Sequence, residues 1–322
     1  MTWTKLGRVF DPEDHRAQNE SWWISHAALP TPHVLADRIR VYVAAWDADK
    51  RGRVAFVDLD RNDPTEVIEV SDEPALDLGE SGTFDSHGVN PSSVLVWNDK
   101  LYLYYIGWQR LTDVRYTLFT GLARAPGGIE GREFHRYSQA PLLDRMSGER
   151  YVRTAPVAKR VGPTVRLWYA AGDEWVDAGG KQVPTYSLRV MDMPTPAQPP
   201  STSTEILPLE SGEIGIGRPA INFDVESRKW QMWFSSRTRD GYRIRYAEAS
   251  QTGLFVPGTY FTRTYGPSTS QVSFVKPSDD GWDSEMVCFP ALLDVDGRRY
   301  MLYNGNDYGR TGFGLAWWDD DS

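Results

Sequence analysis

CFPALLDVDGRRYMLYNGNDYGRTGFGLAWW, residues 288–318, reads as a proline-led apolar strand, a tight Asp-Gly turn, an aromatic-rich strand, a polar loop and a third strand. The pattern recurs as PTPHVLADRIRVYVAAW from Pro30, NPSSVLVWNDKLYLYYIG from Asn90, APVAKRVGPTVRLWYAAG from Ala155 and GRPAINFDVESRKWQMWFSS from Gly217. With Pro32, Pro91, Pro156, Pro219 and Pro290 as phase markers, the spacings are 59, 65, 63 and 71 residues, which suit one four-stranded sheet plus variable loops. A small sheet cannot bury both faces alone, so five of them complete their cores by stacking around an axis.

The expected fold is therefore all-β: a five-bladed β-propeller with four-stranded antiparallel blades, one domain over residues 1–322. The blades fall at about 20–77, 84–144, 150–210, 214–266 and 282–318. Too little chain follows Trp318 for a fourth strand, and WTKLGRVFD resembles the outer-strand segment REFHRYSQAPLLD, so residues 3–10 are expected to close the ring. The proline-rich stretch 193–205 falls between the third and outermost strands of blade three and is read as a surface excursion.

Composition narrows the partners. A net charge of -9 argues against nucleic acid, whose phosphates call for a basic stripe. There is no apolar run of the ~20 residues that would span a bilayer and no apolar signal core near Met1, so the reading is cytoplasmic, with no membrane partner. The single cysteine, Cys288, excludes an internal disulfide framework and reads as a small buried hydrophobe. A small-molecule substrate is the expected partner, no cofactor is called for, and nothing here speaks to oligomeric state.

Short turns such as Asn98-Asp99 and Asp296-Gly297 crowd one face of the ring. Longer loops beginning at Asp47, Trp108, Asp173, Arg237 and Asn306 project from the other, which is the expected working face.

Five such units, each headed by proline and followed by a tyrosine-rich strand, resemble the propellers of glycoside hydrolase families 43, 32, 62 and 130. The ending RRYMLYNGNDYGRTGFGLA is similar to the last blade of such proteins. The resemblance implies an acidic residue one or two places before the strand-leading proline in certain blades, since hydrolysis needs one carboxyl group to protonate the leaving oxygen and another to attack or activate water. Ahead of the five marker prolines stand Pro30 and Thr31, Val89 and Asn90, Thr154 and Ala155, Gly217 and Arg218, and Cys288 and Phe289, with no carboxylate among them.

Other groups upstream of the same strands supply the candidates. Glu285 and His87 are the expected acid/base residues, with His26 assisting, because a histidine near its ordinary pKa and a carboxylate beside an apolar wall both exchange protons at working pH. Arg153 and Arg218 would orient an anionic or oxygen-rich group. Asp85, Trp108, Trp175, Asn304 and Asp307 complete the substrate-binding candidates, the tryptophans as planes for a sugar face or a polycycle. No tight ligand spacing at His26, Asp85 and His87 supports a metal. The expected function is a carbohydrate-active enzyme acting on a small glycoside, sugar nucleotide or sugar-derived metabolite. A cyclase, dehydratase or isomerase of small-molecule biosynthesis and a silent sugar-binding propeller are the alternatives.

Overall fold

The computed structural model describes residues 2–14, 22–250, 261–263 and 274–319, which hold twenty strands and one short helical turn. The expected ends of blades one and four, at 20 and 266, lie outside the described residues. Strand β1 (Thr2–Phe10) pairs far along the chain. Blade one is β2 (Ser25–Val34), β3 (Arg38–Trp46), β4 (Gly52–Asp60) and β5 (Val67–Val70). Blade two is β6 (Gly88–Trp97), β7 (Lys100–Arg110), β8 (Tyr116–Arg124) and β9 (His135–Arg136). Blade three is β10 (Val152–Val161), β11 (Thr164–Asp177), β12 (Gln182–Met193) and β13 (Thr204–Leu207). Blade four is β14 (Gly215–Asp224), β15 (Lys229–Thr238), β16 (Gly241–Ser250) and β17 (Thr262–Arg263). Blade five is β18 (Cys288–Val295), β19 (Arg298–Asn304) and β20 (Phe313–Asp319), and its outermost strand is β1, paired from Thr2 opposite Asp319 to Phe10 opposite Phe313.

Five apolar clusters show how the sheets close on one another. Each joins two neighbouring blades, and one of them packs Ile39, Val41 and Val57 of blade one against Leu293, Leu302 and Phe313 of blade five. Trp168 and Trp230 meet between blades three and four, and Trp233 lies fully buried between four and five. Truncating so large a buried side chain to alanine costs about 3–5 kcal/mol.

The turns follow their residues. Asn98 and Asp99 have φ of 49° and 58°, and Asp296 and Gly297 have 49° and 80°. Two successive left-handed residues are what a two-residue hairpin between right-twisted strands requires.

Two expectations change in register. In blades one, three, four and five the innermost strand bulges at Leu29, Ala155, Arg218 and Phe289, all with positive φ, each just before a proline. In blade two the corresponding irregularity lies between Pro91 and Ser93. The repeat is therefore phased by Ala28, Asn90, Thr154, Gly217 and Cys288, which pair with Ala44, Ile106, Ala170, Ser235 and Asn304 of the second strands. Pro30 rather than Pro32 leads blade one, and Ser92 rather than Pro91 takes the proline position in blade two. The absence of carboxylates survives the correction, because Ala28, Leu29, Asn90 and Pro91 carry none. The expected loop from Asp173 is largely a ribbon: Glu174, Trp175, Val176 and Asp177 pair with Thr185, Pro184, Val183 and Gln182.

The bulges interrupt the ladder, and neighbouring blades repair the loss. Phe289 N donates to Ser235 Oγ at 2.7 Å, and Leu29 N to Asn304 Oδ1 at 2.7 Å. A backbone donor that its own sheet leaves open thus becomes a tie between blades.

Candidate functional site: the mouth of the ring

The acids at the heads of the innermost strands are taken up by the scaffold. Asp85 is fully buried, accepting from Tyr105 Oη at 2.9 Å and from Arg136 Nε of β9 at 2.8 Å. Glu149 accepts from Tyr169 Oη at 2.9 Å and pairs with Arg153 at 2.6 Å and Arg189 at 2.9 Å. Asp283 accepts from Tyr303 Oη at 3.1 Å and from Lys5 of β1 at 2.6 Å. In these three blades acid and tyrosine are separated by the same 20 residues. Glu213 completes the set, joined to Arg263 of β17 at 2.6 Å and to Ser236 Oγ at 2.6 Å. Blades two, four and five thus clasp the head of the innermost strand to a cation on the outermost one. The 20-residue spacing of acid and tyrosine is the sequence signal for this clasp.

Several binding candidates have structural partners. Arg153 is spoken for by Glu149 and by Asp144 O at 2.6 Å. Asn304 is fully buried and saturated, donating to Ala27 O and Gly312 O while accepting from Leu29 N. Arg218 lies beneath the mouth, 3% exposed. Trp175 rides on the ribbon of blade three, its ring 5.7 Å from that of Tyr151.

The acid/base candidates are spread around the rim. Among the described residues no hydrogen bond or ion pair joins Glu285 to His87 or His26. Glu285 is exposed, and its polar contacts are made by its backbone, with Asn306 and Arg243. His87 sits 6.4 Å from the Trp108 ring, with Nδ1 3.3 Å from Ser86 Oγ. His26 stacks on Trp46 at 4.0 Å. Burial, with the charges of Arg310 and Lys50, lowers its pKa to about 4 against a backbone hydrogen bond at Asp307, so it is neutral at working pH rather than poised near its ordinary value. Asp307 is exposed, 3.8 Å from Arg310, in the helical turn α1 (Asn306–Gly309) that packs against β2. Cys288 is fully buried, and burial pushes its thiol well up.

The mouth itself is apolar, aromatic and cationic. Leu29 and Ala155, set on bulges, join Ile106 and Ala170 in one cluster, with Phe289, Leu118 and Tyr186 against it, so blades one, two, three and five meet over the axis. Beside this floor a cleft of about 510 Å³ opens between blades one and two, walled by Trp46 and Trp108 and edged by Lys50, Arg110 and Arg115. Trp108 lies over Gly88, where a Cβ would come 1.9 Å from its indole nitrogen, so glycine is what lets the ring settle there. Two buried polar atoms in the lining, Trp46 Nε1 and Asn90 Oδ1, have no hydrogen-bond partner among the described residues.

A second group continues the cleft toward blades four and five. Arg237 has Tyr242, Tyr186, Tyr116 and Tyr308 as its electrostatic neighbours, contributed by four different blades, and no ion pair joins it to a carboxylate among the described residues. Its guanidinium carbon stands 5.9 Å from the Tyr242 ring centre. Tyr186 Oη and Tyr242 Oη are 2.8 Å apart, and burial pushes both hydroxyls up, keeping them neutral donors. Tyr308 meets Tyr242 edge to face at 5.6 Å. No local spacing links these residues, and the sequence reading missed them.

No family model matches the chain. Among solved structures it is similar to a thermostable family-43 glycoside hydrolase, with a TM-score of 0.67 at 16% identity over 94% of this chain and 93% of the other. It is equally similar in fold to the β-1,2-mannobiose phosphorylase of Listeria innocua, with a TM-score of 0.71 at 10% identity over 98% of this chain and 96% of that one. The fold is thus that of the glycoside-hydrolase propellers in divergent form. The uncharacterized protein Rv1502 of Mycobacterium tuberculosis is 31% identical over 317 residues, 98% of this chain and 99% of its own length. The chain belongs to the family of Rv1502.

Proposed function

We propose that the mouth recognises and processes a sugar-derived small molecule bearing an anionic group, such as a glycosyl phosphate, a nucleoside-diphosphate sugar or a uronate. The reading rests on one observation: Arg237 is set among four tyrosines with no ion pair to a carboxylate among the described residues, while Lys50, Arg110 and Arg115 edge the adjoining cleft, whose one lining acid, Asp49, is paired with Arg51. A sugar ring offers C–H faces to indole planes and oxygens to cationic donors, and Trp46 and Trp108 with Lys50, Arg110 and Arg115 at the edge of the cleft match both needs. The similarity in fold to a glycoside hydrolase and a mannobiose phosphorylase supports a carbohydrate at this face.

Two-carboxylate hydrolysis is not the chemistry this mouth suits. Apolar Leu29, Ala155 and Phe289 occupy bulge positions, and the buried strand-head acids Asp85, Glu149 and Asp283 are locked to arginine or lysine. Proton donation from the hydrogen-bonded Tyr186 and Tyr242 pair beside Arg237 fits a non-hydrolytic elimination, cyclisation or transfer better. The test is calorimetric titration with a neutral aryl glycoside, a glycosyl phosphate and a nucleoside-diphosphate sugar, followed by NMR of each mixture. Saturable binding confined to the anionic ligands, with conversion of one of them, is the expected result. Equal binding of the neutral glycoside with release of its aglycone would overturn the reading.

A further inference from the structure

Arg218 holds the bulge position of β14 that Leu29, Ala155 and Phe289 hold in their blades. Its side chain crosses the axis: Nη2 donates to Pro30 O and Thr31 Oγ1, both at 2.8 Å, and Nη1 to Ser92 Oγ at 3.3 Å. These acceptors are all neutral. Among the described residues no carboxylate lies within ion-pair distance, and Nε has no hydrogen-bond partner. Other deeply buried arginines are treated differently: Arg40 meets Asp58 at 2.6 Å, and Arg153 meets Glu149. A buried cation without a counter-charge is strongly disfavoured. Burial lowers the Arg218 pKa to about 9, which still leaves it charged at neutral pH.

Arg218 also lines a cavity of about 450 Å³ formed by the innermost strands of all five blades. The lining residues lie at or beyond the bulges, toward the short-turn face, so the apolar floor of Leu29, Ala155 and Phe289 separates this channel from the mouth. Ser92 and Ser93 place hydroxyls in its wall, Lys159 and Arg160 stand farther along, and no aspartate or glutamate among the described residues lines it.

We infer that the axial channel binds a small inorganic anion, chloride or phosphate, held by Arg218 and the hydroxyls of Ser92 and Ser93 and admitted past Lys159 and Arg160. The anion supplies the charge the fold withholds from Arg218 and ties blade four to blades one and two. It is a site distinct from the mouth and does not depend on what the mouth takes.

Thermal unfolding of the full chain in sodium chloride, sodium phosphate and sodium isethionate at one ionic strength, with anomalous diffraction from bromide-soaked crystals, tests it. A saturable rise of several degrees in chloride or phosphate over isethionate is expected, and which of the two acts at lower concentration identifies the resident ion. Bromide should lie within hydrogen-bond distance of Arg218, and Arg218→Met should abolish the anion dependence. An empty channel in the bromide map, identical melting in all three salts, or an undiminished response in Arg218→Met would overturn the proposal. Should Arg218→Met fail to fold, Ser92→Ala is the second variant: several-fold weaker anion dependence supports the site, and unchanged dependence refutes it.

Discussion

Two sets of charged side chains sit at the head of this ring, and they have opposite fates. Asp85, Glu149 and Asp283 are buried and Glu213 half-buried, and each is paired with an arginine or lysine. Arg237, Lys50, Arg110 and Arg115 face the mouth among tyrosine and tryptophan, with no comparable set of buried acids opposite them among the described residues. The difference teaches that an acid near a propeller mouth is not a catalyst by position: what decides its role is whether the scaffold has already claimed it. Here the strand-head acids hold the blades together, and the proposed function assigns the mouth cations to a ligand.

The largest effect that would break this division is expected from Glu149→Ala. It strands Arg153 and Arg189 and removes the acceptor of Tyr169, so unfolding should become easier by about 3–5 kcal/mol in denaturant titration, the usual loss when one partner of a buried pair is removed. Affinity of the folded fraction for an anionic sugar should hold, and a loss of affinity without a loss of stability would reassign Glu149 to the ligand. Arg237→Met should do the converse. Loss of a charged hydrogen bond worth about 1.5–3 kcal/mol weakens calorimetric binding of a glycosyl phosphate roughly ten- to hundredfold, with stability changed by under about 1 kcal/mol.

A smaller, pH-dependent effect sharpens the line between scaffold and mouth at His26. Its folded pKa of about 4 lies below the ordinary 6.5, so between those values the unfolded chain binds more protons. Its contribution to stability is complete above pH 6.5 and is lost as pH falls toward 4. Melting curves of His26→Gln should therefore fall less steeply across that window than those of the parent, and parallel curves would contradict the burial of its ring against Trp46. The smallest effect is expected from Glu285→Gln: the exposed carboxylate has no ion-pair partner among the described residues, so stability should stay within about 0.5 kcal/mol and ligand conversion should be unchanged. A collapse in conversion at constant affinity would instead make Glu285 the acid/base group expected from sequence.

The fold was far more legible than the site, for a physical reason. Blade building is local: proline before a strand, Asn-Asp or Asp-Gly between strands and alternating apolar residues all act within a few positions. Even the closing strand could be placed from the missing outer strand of blade five. The bulge was the first thing to escape, because its one extra residue carries no composition signal beyond a proline, and a second proline at Pro32 competed with Pro30 for the phase. The mouth escaped because Tyr116, Tyr186, Arg237, Tyr242 and Tyr308 converge from strand ends and one turn of four blades. Charge misled in the same way: Asp85 and Arg153 look available in the sequence, and only Arg136 and Glu149 show that they are not.

The pairing of β1 with β20 has a kinetic meaning. Thr2 finds its partner only at Asp319, so the ladder that completes blade five spans nearly the whole chain. Contacts of such high sequence separation are slow to form, since long-loop closure comes before any reward. Blades one to four can assemble in order behind the ribosome, but the edge of β20 stays open until the earliest-made strand returns to it, and that interval is when a growing chain is most exposed to edge-to-edge association.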